Sequence, residues 1–225
     1  MPIRLLLLVL LLVPDMAAAQ LRWVQGQHYN VLPAATPART VPGKIEVAEV
    51  FSYACVHCYH AAQSMAALKN SLPADAYMTY LHAAFQPQQS WPLFQRAWIT
   101  ADTLGVGEAM HEALFRAIWE TGEIPLLDSQ KGGIRNPPPT IEDIARFYAR
   151  HSSVKEADFL KTAASPQVAA QMRHSDAMIQ AWRIAGTPTI VVNGHYIIDN
   201  SALSGWSDLE QLVGYLVSLE RQRSK

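Results

Sequence analysis

Strand-like sequence occurs at both ends of this chain and nowhere in the long stretch between, which limits how the chain can close on itself. K-I-E-V-A-E-V-F-S-Y alternates Ile45, Val47, Glu49 and Phe51 onto one face, the period of a strand. C-Y-H-A-A-Q-S-M-A-A-L-K-N follows, alanine-rich with apolar residues at helical spacing, and S-L-P-A-D stops it before a second strand, Y-M-T-Y-L-H-A-A-F. Strand, helix, strand is a parallel crossover unit. From Pro87 to Ala181 the pattern is helical throughout, broken by the loop N-P-P-P-T. Strands return in T-I-V-V-N-G-H-Y-I-I-D, a hairpin turning at Asn193-Gly194. The last helix opens with Ser207 as N-cap and Glu210 three residues on, the pattern of a capping box. Neither flank has enough strands to stand alone, so the expectation is one split α/β domain, residues 20–86 and 182–225, with an all-helical insertion at 87–181.

The first residues set the compartment. Arg4, an apolar run from Leu5 to Val13 and the small residues Ala17 to Ala19 read as a secretory signal peptide, residues 1–19, with cleavage after Ala19. The run is shorter than the ~20 residues a spanning helix needs, and Pro14 and Asp15 close it. Lys+Arg number 18 against 19 for Asp+Glu, so no long-range field favours nucleic acid. Half of all residues are apolar, enough for a core without disulfide staples.

The chain nevertheless has two cysteines, and both stand in C-V-H-C where the first strand gives way to the helix. Cys55 meets the unpaired N–H groups and positive dipole end of that helix, which favour its thiolate. Cys58, inside the first turn, is expected to be more buried and less acidic than an exposed Cys55. Such an unequal pair suits disulfide exchange, Cys55 forming the mixed disulfide and Cys58 resolving it. His57 can add charge or a hydrogen bond near the Cys55 sulfur. Two other uses remain open. A structural disulfide would close so short a loop that it contributes only ~2 kcal/mol. A metal site built from Cys55, His57, Cys58 and His60 would have to converge side chains that leave a helix in different directions. His60 itself reads as a solvated helix residue. Trp91, Trp98, Trp119 and Trp182 read as packing in the helical block, with Trp91 near a groove.

The strand E-V-F-S-Y, the C-V-H-C-Y run, the insertion and G-T-P-T-I-V-V-N-G-H-Y together resemble the DsbA-type thiol:disulfide oxidoreductases, and the similarity spans the mature chain. The resemblance implies a thioredoxin fold with a helical domain inserted between its halves. It implies a monomeric periplasmic oxidant without cofactor or metal. Its partners would be reduced exported polypeptides and a membrane quinone-linked reoxidant of the DsbB kind. Pro188 matches the family's cis proline, with Thr187 and Pro188 holding the peptide, and Glu49 matches a buried acid that moves the proton of Cys58. Three positions depart from the family. Val56, beside the substrate, replaces a frequent proline, Thr187 replaces a valine, and Tyr80 stands where a lysine would pair with Glu49 and so leaves its carboxyl raised. A reductase or isomerase of the same fold is the nearest alternative, and a metal-binding chaperone a more distant one.

Overall fold

The structure is a computed structural model that describes residues 22–33, 36–128 and 130–223, so the expected signal peptide lies outside the described residues. Five strands form one sheet: β1 (Tyr29–Val31), β2 (Ile45–Phe51), β3 (Ala76–His82), β4 (Thr189–Val192) and β5 (Tyr196–Ile198), in the order β1-β5-β4-β2-β3. β2 and β3 run parallel, Ile45 beside Ala76 through Phe51 beside His82, and α1 (Val56–Ser71) makes the crossover between them. β4 pairs antiparallel with the other edge of β2, Val47 opposite Val192 and Val50 opposite Thr189. β2 is therefore central. Both its faces are covered, and Glu46, Ala48 and Val50 are as buried as Val47, Glu49 and Phe51. The alternation in the sequence marks the two faces, but neither meets water.

The hairpin turns where expected: Asn193 and Gly194 both have positive φ, 52° and 60°. Glycine is needed at the second position for a further reason, since a Cβ there would stand 2.0 Å from the Thr36 carbonyl oxygen. The first strand, β1, carries no alternation of its own and forms by pairing Tyr29 with Ile198 and Val31 with Tyr196.

Between β3 and β4 the chain is helical: α2 (Trp91–Thr103), α3 (His111–Trp119), α4 (Ile141–His151), α5 (Glu156–Ala163) and α6 (Pro166–Ala181), followed after β5 by α7 (Trp206–Arg223). The capping expected at Ser207 is not formed. α7 begins at Trp206, two residues before the start that a Ser207 N-cap requires, the Gly205 carbonyl takes the N–H groups of Asp208 and Leu209, and the Ser207 hydroxyl inside the first turn accepts from Gln211 Nε2 at 3.1 Å. A capping box does close α4, where Thr140 and Asp143 each accept from the other's backbone N–H.

Two cores flank the sheet. α1 and α7 pack Met65, Leu68, Leu212 and Leu216 against Val47, Ile190 and Val192. The larger core starts from Ala48, Val50 and Phe51 and runs without a break into the insertion through Phe94, Trp98, Phe115, Tyr148 and Trp182. The fold is thus a thioredoxin-like α/β core with an inserted all-helical subdomain, joined by a shared apolar interior. Gln95 of α2 also ties them, donating to the His82 carbonyl at 3.0 Å and to Asp176 of α6 at 2.9 Å.

Candidate active site

Strand register brings the site together. Thr189 lies opposite Val50, so the two residues before Thr189 reach the level of the segment that follows Phe51. That segment holds Cys55, and those two residues are Thr187 and Pro188, joined by a cis peptide bond. Cys55 is the N-cap of α1, in extended backbone (φ −98°, ψ 112°), and its carbonyl accepts the first helical bond from Tyr59. Its side chain caps nothing. The sulfur is free to face Thr187, donating to the Thr187 carbonyl at 3.5 Å.

The two thiols, both reduced, differ sharply in acidity although little in exposure. Cys55 was expected to be exposed, yet it keeps only 8% of its surface and Cys58 none. What separates them is hydrogen bonding. The Cys58 thiol stabilises the Cys55 thiolate most, with help from Thr187 and the backbone N–H groups of Cys58 and His57 against the cost of burial, and the Cys55 thiol falls to about 5. Burial, followed by the bond to Cys55 and its charge, pushes Cys58 far up. The Thr187 hydroxyl is buried with no well-formed hydrogen bond to the neutral dithiol. It adjoins both sulfurs and favours a thiolate on either.

Glu49 is 1% exposed, and its Oε2 is buried without a hydrogen-bond partner. Removal from water, and then the charge of Cys55, raise its carboxyl to about 8. Tyr80 stands beside it in the β2–β3 ladder, in the place where a lysine was expected to be missing, and the Glu49 charge adds to the burial that raises the Tyr80 phenol.

The side chain of His57 is exposed and that of Val56 half-buried. His57, His60, Pro188, Leu203, Trp206 and Leu209 line a largely apolar groove of about 430 Å³ beside the cysteines, with Thr187 at its edge, and Val56 is not one of its walls. Trp206 is nearly half exposed there. His60, read from sequence as simply solvated, is exposed but forms part of this wall. The four residues of the possible metal site do not converge, because Cys58 points into the core while His57 and His60 face outward. Among the described residues no three His, Cys, Asp or Glu side chains are placed to hold a metal ion.

Two side chains hold the loop before Cys55: His82, which sequence reasoning passed over, and Trp119, which it read only as packing. The Tyr53 N–H donates to His82 Nε2 at 3.1 Å, while His82 Nδ1 lies 2.8 Å from the Ala83 carbonyl and donates to it. His82 is fully buried and, pushed down to about 3, neutral. The Tyr53 carbonyl accepts from the Trp119 indole at 2.8 Å. The backbone of Tyr53, ahead of the cysteines, is therefore held at its N–H by the sheet and at its carbonyl by the insertion. The M-T-Y-L-H run that ends β3 holds His82, but only the β2–β3 register shows that it comes level with Phe51.

A thioredoxin fold with a dithiol at a helix start, beside a cis proline, defines a dithiol–disulfide oxidoreductase. Comparison with known proteins narrows this. The thioredoxin family model matches residues 43–210. The thiol:disulfide interchange protein DsbA of Azotobacter vinelandii is 34% identical over 196 residues, 87% of this chain and 84% of that one. The DsbA of Pseudomonas syringae pv. tomato is 34% identical over 200 residues, 89% of this chain and 86% of its own. Among solved structures, the oxidoreductase DsbA of Xylella fastidiosa superposes with a TM-score of 0.77 at 34% identity, covering 89% of this chain and 98% of that one. Pseudomonas aeruginosa DsbA gives 0.76 at 30% identity, covering 90% and 97%. The chain belongs to the DsbA family of thiol:disulfide oxidoreductases and acts through its Cys55–Cys58 pair. Membership implies a periplasmic, secreted protein and is consistent with exported polypeptides as substrates.

Proposed function

We propose that the protein works as a net oxidant, passing the Cys55–Cys58 disulfide to reduced exported polypeptides and regaining it from a membrane quinone-linked partner of the DsbB kind. The observation that carries this is the inequality of the two thiols: Cys55 held down to about 5 and Cys58 pushed up. A stabilised Cys55 thiolate favours the reduced protein, so the disulfide form gives up its bond readily.

In this reading a substrate thiolate attacks Cys55, a mixed disulfide forms there, and Cys58 leaves. Glu49 protonates the departing Cys58 sulfur and takes the proton back when Cys58 resolves the mixed disulfide during reoxidation. His57 tunes Cys55 through its place at the first turn. Thr187 and Pro188 hold the peptide, the Thr187 backbone pairing with an extended chain, and Val56 sets the surface beside the reacting sulfur. The protein acts as a monomer, the signal peptide is removed after Ala19, and the domain limits are those read from the sequence, 20–86 with 182–225 and 87–181.

Equilibration with a glutathione buffer tests the direction. The expected potential is well above the roughly −270 mV of cytosolic thioredoxin, by 60 mV or more, which is about a hundredfold in the exchange constant. A potential at or below that of thioredoxin would make the protein a reductant.

A further inference from the structure

The segment that leads into Cys55 is a tight turn, Ser52 to Cys55, closed by the Cys55 N–H donating to the Ser52 carbonyl at 3.1 Å. Its central peptide unit joins Tyr53 to Ala54, and the common turn types differ chiefly in which way that unit faces. Here both of its polar groups are held. The Ala54 N–H donates to Ser52 Oγ at 3.2 Å, and the Tyr53 carbonyl accepts from the Trp119 indole at 2.8 Å. Trp119 is the last residue of α3, and the first, His111, pairs through Nδ1 with the Tyr53 hydroxyl at 2.9 Å. The Trp119 ring also stacks on Tyr59, centroids 6.2 Å apart and planes at 16°, and the Tyr59 N–H is the donor to the Cys55 carbonyl. One helix of the insertion therefore touches the C-V-H-C run just before it and just after it.

We propose that Trp119 is a positioning residue for Cys55: by fixing the Tyr53–Ala54 peptide it sets how Cys55 enters α1, and through that how strongly the cysteine pair oxidises. This rests on the reading of Cys55 as an acidic thiol and of the protein as an oxidant. Without the indole N–H the Tyr53 carbonyl, in a residue with no exposed surface, loses that partner, and a buried peptide so left turns toward another donor. The two redox forms depend on the turn unequally. In the disulfide form the Cys55 sulfur is held by its covalent bond to Cys58. In the dithiol form only hydrogen bonds hold it, from the Cys58 thiol, Thr187 and the N–H groups of Cys58 and His57, and such bonds weaken steeply when misdirected. Freeing the turn peptide therefore costs the reduced form more than the oxidised one and lowers the potential. Through one indole N–H, the insertion takes part in setting the redox poise of the thioredoxin-like core.

Equilibration with glutathione, together with titration of the thiolate absorbance, tests this on the whole chain. Trp119→Phe keeps a ring against Tyr59 and removes the donor. It is expected to shift the exchange constant about tenfold toward the disulfide form, about 30 mV, and to raise the pH at which Cys55 titrates. The groups that act on the Cys55 sulfur, Cys58, Thr187 and the charge of Glu49, stay in place in this variant. A benzothienyl-alanine at position 119 has the two-ring shape with sulfur in place of the N–H, and is expected to give the same shift where the smaller Phe ring unsettles the insertion. Thr140→Ala, which weakens the insertion at the α4 cap and leaves the Tyr53 contacts alone, is expected to keep the native potential. Native potential and thiolate titration in both variants at position 119 would overturn the proposal. An equal shift in Thr140→Ala would overturn it too, by showing a general loosening of the insertion. A native protein whose thiols all titrate near the ~8.5 of a free cysteine would instead remove the reading of Cys55 as an acidic thiol, and the proposal with it.

Discussion

Cys55 and Cys58 are three residues apart and differ by only a few per cent in exposure, yet one is an acidic thiol and the other a resistant one. Position on the helix accounts for this. Cys55 precedes the first turn and receives donors, whereas Cys58 lies within the turn, in the core, and serves as one of those donors. The pair is legible in sequence as a short local motif, whereas Glu49 and Pro188 are picked out by the resemblance to the family. The partners of the Tyr53 backbone are not, since His82 and Trp119 reach its N–H and its carbonyl from 29 and 66 residues away. Glu49 also sets a stability prediction. Its folded form keeps a proton that an unfolded chain releases above ~4.3, so its burial destabilises the fold increasingly as pH rises from about 4 to about 8. Glu49→Gln should therefore leave stability nearly unchanged at pH 4 and raise it at pH 7 by on the order of 2–4 kcal/mol. Urea melts at the two pH values check this. A variant that is less stable at pH 7 than the native protein would show an ionised, well-paired Glu49.

At the scale of elements, the parallel crossover, the hairpin and the helical insertion are all visible in the sequence, because each is written in a period or a turn signal that needs no distant partner. β1 is not visible, since Tyr29–Val31 is too short to alternate and becomes a strand only by pairing with β5. Helix caps show the same division. Ser207 with Glu210 and Thr140 with Asp143 look alike as sequence, but the path of the chain before α7 gives its N-terminal N–H groups to Gly205, while at α4 the side chains supply the cap. Thr140→Ala should accordingly cost about 1 kcal/mol, and Ser207→Ala no more than a few tenths. Chemical denaturation of the two single variants distinguishes them, and equal losses would contradict the assignment of the caps.

For the whole molecule, one apolar interior links the cysteine helix, the central strand and the insertion, so the redox state of the pair and the stability of the fold are coupled. The Cys55 thiol is lower in the folded than in the unfolded chain, so its contribution is fully present above the unfolded value of ~8.5 and is lost as pH falls through about 5. The raised Cys58 opposes it only at alkaline pH, where an unfolded Cys58 would ionise. A merely structural disulfide would act in the opposite sense, stabilising the oxidised protein by ~2 kcal/mol at every pH. Denaturant midpoints of the reduced and oxidised proteins, compared from pH 5 to pH 8, therefore test the oxidant mechanism most directly. The reduced protein is predicted to be the more stable near pH 7 to 8, with its advantage shrinking steadily toward pH 5. An oxidised protein more stable by a constant margin across that range would contradict it.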